Sequence, residues 1–194
     1  MPLQNIFNAI AKQRFTIRFA IPVKHSKQLS AIHIINIDFR KGKHAMEIER
    51  KYLVKYLPAN LEKYPCKQIA QGYLNTNPVL RIRKSNDDYF FTYKGQGLMT
   101  REEHEFPIPQ ETFEHLLPKI DGILIEKKRY LIPLAENLTA ELDIFQGKLT
   151  PLRLIEVEFA SEEQANAFLP PDWFGDDVTH SGKYHNSNLS KTAP

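Results

Sequence analysis

One cysteine, Cys66, stands in a chain of 194 residues. No internal disulfide can form, which excludes a small disulfide-stapled fold and fits a reducing compartment. No run approaches the ~18 consecutive apolar residues that a membrane-spanning helix needs. The first residues lack an apolar core followed by a cleavage site, which argues against a secretory signal. A cytoplasmic protein without membrane partners is therefore expected. Internal repeats and low-complexity tracts are missing too. None of the seven histidines has a metal-ligand spacing such as HxxxH, and His44, His180 and His185 read as surface residues. What remains is an ordinary globular composition, 42% hydrophobic and 25% charged, long enough for one domain with its own core.

The net charge of +3 hides an uneven split. Residues 1–45 hold eight Lys/Arg and a single acid, Asp38, which leaves 18 basic and 22 acidic residues for 46–194. This asymmetry separates a basic extension, 1–45, from a domain, 46–194. Phe15 to Ile21 and Ile32 to Phe39 have the character of short strands but lack turn chemistry on both sides. Three readings apply to the extension: an upstream segment preceding a true start at Met46, a poorly ordered basic tail, or an organelle presequence. No base-reading pattern accompanies its charge, so nucleic acid is not an expected partner.

From Met46 onward, short segments of alternating character recur between turn signals, as in an antiparallel barrel or sandwich. Eight strands are predicted at about 46–54, 67–74, 78–84, 88–94, 100–108, 122–132, 137–145 and 152–159. Eight is an even number that can close a barrel. Turns fall at Asn75 to Pro78, at Asn86-Asp87-Asp88 and at Gly95 and Gly97. Short helices are predicted over about 110–117, over 161–168 with Ser161 as N-cap, and near 184–190. The fold class is mainly β (α+β).

Residues two apart in a strand share a face, and nearly every predicted strand places charges at that spacing. They are Glu47, Glu49 and Lys51, then Arg81 and Arg83, then Lys94. Arg101, Glu103 and Glu105 follow, then Lys127 and Arg129, Glu141 and Asp143, and Glu156 and Glu158. The alternate positions are mostly apolar: Met46, Ile48 and Tyr52, with Arg50 an exception; Leu80 and Ile82; Val157 and Phe159. Two arrangements fit. Charged faces pointing to solvent over a greasy core would be an ordinary half-buried sheet. Alternatively the sheet closes with its charges inside, and helices or a partner subunit, as in a homodimer, cover the greasy outside. The separation of signs favours the second, because several strands are purely basic on this face and others purely acidic. Isolated buried charges are very costly. A polyanion held by Arg and Lys, with divalent cations held by Glu and Asp, would satisfy both walls.

The ordered motifs carry a resemblance. Glu47-Ile48-Glu49-Arg50-Lys51 resembles the ExExK signature of the CYTH superfamily, the triphosphate tunnel metalloenzymes. Gln71-Gly72-Tyr73-Leu74, Leu80-Arg81-Ile82-Arg83, Thr92-Tyr93-Lys94-Gly95 and Arg101-Glu102-Glu103-His104-Glu105 continue it in order. Lys127-Lys128-Arg129-Tyr130, Glu141-Leu142-Asp143-Ile144-Phe145 and Ile155-Glu156-Val157-Glu158-Phe159 complete the strands. Trp173-Phe174-Gly175, Val178-Thr179 and Tyr184-His185-Asn186 resemble the ending of the short bacterial branch. His180 and Pro151 depart from the usual acid and glycine of that pattern, and residues 1–45 lie outside it.

The resemblance implies a closed eight-stranded antiparallel tunnel that holds a triphosphate with Mg²⁺ or Mn²⁺. Carried over residue by residue, Lys51, Arg81, Arg83, Lys94, Arg101, Lys127 and Arg129 would grip phosphates. Glu47, Glu49, Glu156 and Glu158 would be metal ligands. Lys51, Glu103, Glu105 and Asp143 would serve the chemistry, with Glu141 a further ligand or water contact. Lys183 is the candidate C-terminal basic residue that gates the tunnel. Three functions fit: hydrolysis of inorganic tripolyphosphate or a related organic triphosphate, adenylate cyclisation of ATP, or non-catalytic binding of polyphosphate. Hydrolysis is favoured because no base-reading pocket accompanies the charged set and all the acids are present. Cys66 lacks a nucleophile motif, and Trp173 with Phe174 reads as a hydrophobic plug.

Overall fold

The computed structural model describes residues 43–191. The strands considered within 15–39, and the readings of the basic extension, lie outside the described residues. The eight expected strands are β1 (Lys43–Val54), β2 (Cys66–Thr76), β3 (Val79–Ser85), β4 (Asp88–Lys94), β5 (Thr100–Pro107), β6 (Asp121–Pro133), β7 (Thr139–Phe145) and β8 (Arg153–Glu158). A ninth, β9 (Phe174–Asp177), was not expected. Helices α1 (Gln110–Leu116), α2 (Glu162–Ala167) and α3 (Asn186–Leu189) fall where the sequence placed them.

The strand order is β5-β4-β3-β2-β6-β7-β8-β1, every pair is antiparallel, and β1 pairs back onto β5. The sheet is thus a closed barrel. Along one side β1 pairs with β5 over Lys43–Ile48, and lower down with β9 at Tyr52 and Val54. β9 fills the place that β5 vacates. The β3–β4 hairpin is tight: Ser85 faces Asp88, Asn86 adopts φ 52°, and its Oδ1 accepts the Gln68 amide at 2.9 Å. Asparagine tolerates this left-handed conformation better than most residues.

Even-numbered positions of β1, β3, β6 and β7, and odd-numbered positions of β8, face outward and build two apolar layers. Tyr52, Leu142, Ile155 and Val157 pack under α2 with Trp173 and Phe174. Ile82 and Phe106 pack under Phe113 of α1. Ser161 caps α2 by accepting the Gln164 amide at 3.2 Å. Arg50, the charged exception on this outer face, acts as a clamp. It pairs with Asp177 of β9 at 2.5 Å and donates to the Ala165 carbonyl at the end of α2 at 2.8 Å. Its guanidinium also lies over the Tyr52 ring.

A third apolar layer is inside the barrel, at one end. Tyr73, Ile125, Phe145 and Leu154 meet there with Leu53 and Val79. All but Tyr73 continue, two residues on, the inward face that carries charge elsewhere on their strands; Tyr73 follows the uncharged Gln71 on β2. Val178, Tyr184 and Leu189 of the C-terminal segment pack onto this layer from outside. Charge fills the barrel on one side of the layer and the layer closes the other.

Candidate active site

The inward faces bring the charged residues together because the pleat has period two and the barrel has closed. Glu47, Glu49 and Lys51 descend β1; Arg83 and Arg81 line β3; Lys94 ends β4; Arg101, Glu103 and Glu105 line β5. On the opposite wall stand Lys127 and Arg129 of β6, Glu141 of β7, and Glu156 and Glu158 of β8. Asp143 is fully buried just behind Lys127 and Arg129.

These groups form a lattice of ion pairs. The Lys51 ammonium lies 2.8 Å from Glu156 and 3.5 Å from Glu49. Arg101 spans Glu47 at 2.8 Å and Glu49 at 2.9 Å. Lys94 meets Glu47 at 2.7 Å and Glu103 at 3.2 Å. Arg83 donates to Glu105 at 2.6 Å, and Arg81 reaches both Glu103 and Glu105 at 3.4 Å. Arg129 binds Asp143 through two nitrogens, each at 2.6 Å, and also contacts Glu141 and Glu156. Lys127 donates to Asp143.

Proton affinities follow from this lattice. Burial alone would raise the Glu47 carboxyl, but Lys94 and then Arg101 outweigh it and hold the group well below the carboxylate range. Burial raises Glu103 further than Lys94 and Arg81 lower it, and Glu47 adds to the rise. Both carboxyls meet the same Lys94 ammonium. Two carboxyls gathered on one ammonium are a donor set that suits a hard divalent cation. Glu156, although buried, is driven far down by Lys51 and Arg129.

Two cations stand out in the opposite sense. Burial, and then Arg81, depresses Arg83, and Glu105 only partly compensates. Burial, and then Arg129, likewise depresses Lys127 despite Asp143. The Nε atoms of Arg81 and Arg83 are buried and have no hydrogen-bond partner. Under-compensated cations with unpaired N–H donors are where an anion gains most.

The comparisons agree with this geometry. A family model, the CYTH domain, matches residues 45–192. The chain belongs to the CYTH family. It is 43% identical over 152 residues to the inorganic triphosphatase of Nitrosomonas europaea, covering 76% of this chain and 99% of that protein. It is 35% identical over 154 residues to the inorganic triphosphatase of Acetivibrio thermocellus, covering 75% and 93%. A crystal structure of an inorganic triphosphatase superposes with TM-score 0.60 at 40% identity, covering 77% of this chain and 97% of the other.

Within this CYTH barrel the sequence-predicted residues do not all sit alike. Glu158 lies exposed at the open mouth, while Lys51, Arg81, Lys127 and Glu156 are buried in the interior. Lys183 is exposed, outside the cavity, with its ammonium over the Tyr184 ring. From that segment it is His185, Asn186 and Ser187 that line the cavity, together with Gln71 and Tyr73 of β2. Sequence reasoning placed His185 on the surface. No strand periodicity governs that stretch, and it reaches the cavity only because the chain folds back across the barrel end. The reversal of the inward faces from charged to apolar at Leu53, Val79, Ile125 and Leu154 was a readable signal for the closed end. Among the described residues no set of three His, Cys, Asp or Glu side chains already has the arrangement of a metal site, because the acids are turned toward the bases.

Proposed function

We propose that this CYTH protein is a divalent-cation-dependent triphosphatase that hydrolyses inorganic tripolyphosphate or a related organic triphosphate inside the barrel. The observation that carries it is the convergence of seven cationic and seven acidic side chains on one cavity inside the barrel, with the Nε donors of Arg81 and Arg83 unsatisfied. Its likeness to two inorganic triphosphatases over most of their length supports the same reading.

Phosphoryl transfer to water asks the protein mainly for position and charge stabilisation. Arg81 and Arg83 offer unpaired donors to phosphate oxygens on one wall. Lys127 and Arg129 face them from the other. Lys51, held by Glu49 and Glu156, keeps its proton, because those acids together outweigh its burial; it serves as a fixed positive charge and not as a base. Glu47 and Glu103, with Glu49, Glu156 and Glu158 nearby, are the residues that would hold the divalent cation. Such a cation supplies Lewis acidity, drawing charge from the phosphate oxygens. Glu105 and Asp143 orient the arginines, and Glu141 lies beside Arg129 at the mouth.

The test is phosphate release from tripolyphosphate, thiamine triphosphate and ATP with Mg²⁺ or Mn²⁺, and with excess EDTA. Turnover of tripolyphosphate that stops with chelator and returns with either metal is expected. Cyclic AMP from ATP without phosphate release would point to cyclisation instead, and tight binding of tripolyphosphate without turnover to a binding module. Undiminished turnover in EDTA would sink the cation-dependent reading.

A further inference from the structure

The cavity has two unlike ends. At the mouth stand Glu141 and the exposed Glu158. At the other end the inward faces turn apolar, and Tyr73, Ile125, Phe145 and Leu154 meet across the barrel. A phosphate cannot pass through that layer, because it would lose its water and find no donor in exchange. Just above the layer the lining changes character again. His185 and Asn186 of the C-terminal segment bring an imidazole and a carboxamide, unlike the carboxylates, lysines and arginines of the walls above them. Asn186 Oδ1 is buried without a hydrogen-bond partner. A carboxamide can turn either its oxygen or its NH₂ toward a neighbour, so this one is free to meet a ligand there.

The segment that carries these residues is anchored to the barrel and not laid over it as a flap. Thr179 Oγ accepts the Lys51 amide at 3.0 Å, and the Val178 amide donates to the Lys51 carbonyl at 2.8 Å. Past the cavity, the Ile123 amide of β6 donates to the Ser190 carbonyl at 2.8 Å. Gly122 makes that approach possible: its φ is +77°, and a Cβ there would lie 2.1 Å from the Ser190 oxygen. The floor is therefore held on both sides of His185 and Asn186.

We propose, building on the triphosphatase reading, that the barrel is blind and that His185 and Asn186 are specificity-determining residues that receive the terminal phosphate of a substrate entering end-first. The floor then acts as a stop. It sets the distance from the end of the substrate to the bond that is cut, whatever the length of chain that protrudes from the mouth. An organic group on a triphosphate stays at the mouth, and the phosphate farthest from it meets the floor.

Linear tetraphosphate tests this. Hydrolysis adds one water across one P–O–P bridge, so the first products are either phosphate with triphosphate or two diphosphates. Initial-rate chromatography of the products, with Mg²⁺ present, reads which bridge was cut. The wild-type protein should give one product pair in at least about tenfold excess, the scale set by one or two hydrogen bonds to a charged group. Asn186→Ala and His185→Ala should give mixed pairs and raise KM for tripolyphosphate on the order of tenfold. A change in product ratio is not something that mere loss of stability produces. A wild-type mixture of both pairs overturns the stop. So does an unchanged ratio in both variants when each shows a cooperative melting transition. The wild-type arm stands alone if neither variant folds. Failure of the wild type to hydrolyse tripolyphosphate at all would instead remove the functional reading on which the stop rests.

Discussion

Arg83 and Ile82 are neighbours in β3 with opposite duties. Arg83 faces the cavity with an unpaired Nε, and Ile82 is fully buried outside under α1. If Arg83 contacts the phosphoryl group in flight, Arg83→Ala should lower kcat by about 10²–10³, the scale for losing one preorganised charge-stabilising donor. If it grips a distal phosphate, KM rises and kcat holds. Ile82→Ala should instead lower stability by ~2–5 kcal/mol, seen in denaturant unfolding, with turnover per folded molecule kept. The reverse outcome, with Ile82 essential for turnover and Arg83 dispensable, would mean the faces are exchanged. Which face each charge occupies was legible in the sequence, since the pleat alone decides it. Which acid meets which base was not. Arg129 gathers Glu141, Asp143 and Glu156 from two neighbouring strands through the stagger of the closed sheet, and no spacing along one strand encodes that stagger. Arg50 was visible as an anomaly, but its partners lie more than a hundred residues away.

At the level of elements, the eight barrel strands were readable from alternation and turns, while two features were not. β9 is only four residues long, Phe174–Asp177, too short for a period to show. β1 starts at Lys43, three residues before the boundary drawn from composition, because backbone pairing with β5 continues through Ala45↔Glu103, His44↔His104 and Lys43↔Glu105. Those residues carry the basic character of the extension and the backbone role of the barrel at once. We therefore propose that the separable segment ends before Lys43. A chain shortened to begin at Lys43 should fold and keep its full tripolyphosphatase rate. One beginning at Met46 should melt at a lower temperature, having lost three residues of β1–β5 pairing. Equal melting temperatures for the two would show that this stretch of pairing contributes nothing, and an inactive chain from Lys43 would show that the extension is part of the working unit.

For the molecule as a whole, the buried lattice makes stability a function of pH. Burial works against the charged forms of Glu47, Glu105 and Glu156, yet neighbouring cations hold all three below their ordinary value of 4.5. Depressed carboxyls contribute stability that is present above that value and is lost as pH falls through their folded values. Glu103, raised, has the opposite sign: its contribution is present below 4.5 and fades as pH rises through its folded value. Three groups against one predict a melting temperature that falls on acidification below about pH 4.5. Glu156→Gln should flatten that fall, and an unchanged slope would show that Glu156 is not held down. The same lattice has a further consequence. With most of its carboxylates already neutralised by a base, the barrel resembles a charged ion-exchange resin, loaded with its own counterions. An entering polyphosphate is exchanged for carboxylates and not simply added, so its affinity is a difference between two nearly equal sets of contacts. The displaced carboxylates then need new cations. Anion and cation uptake become two halves of one exchange, each tightening the other by the same factor.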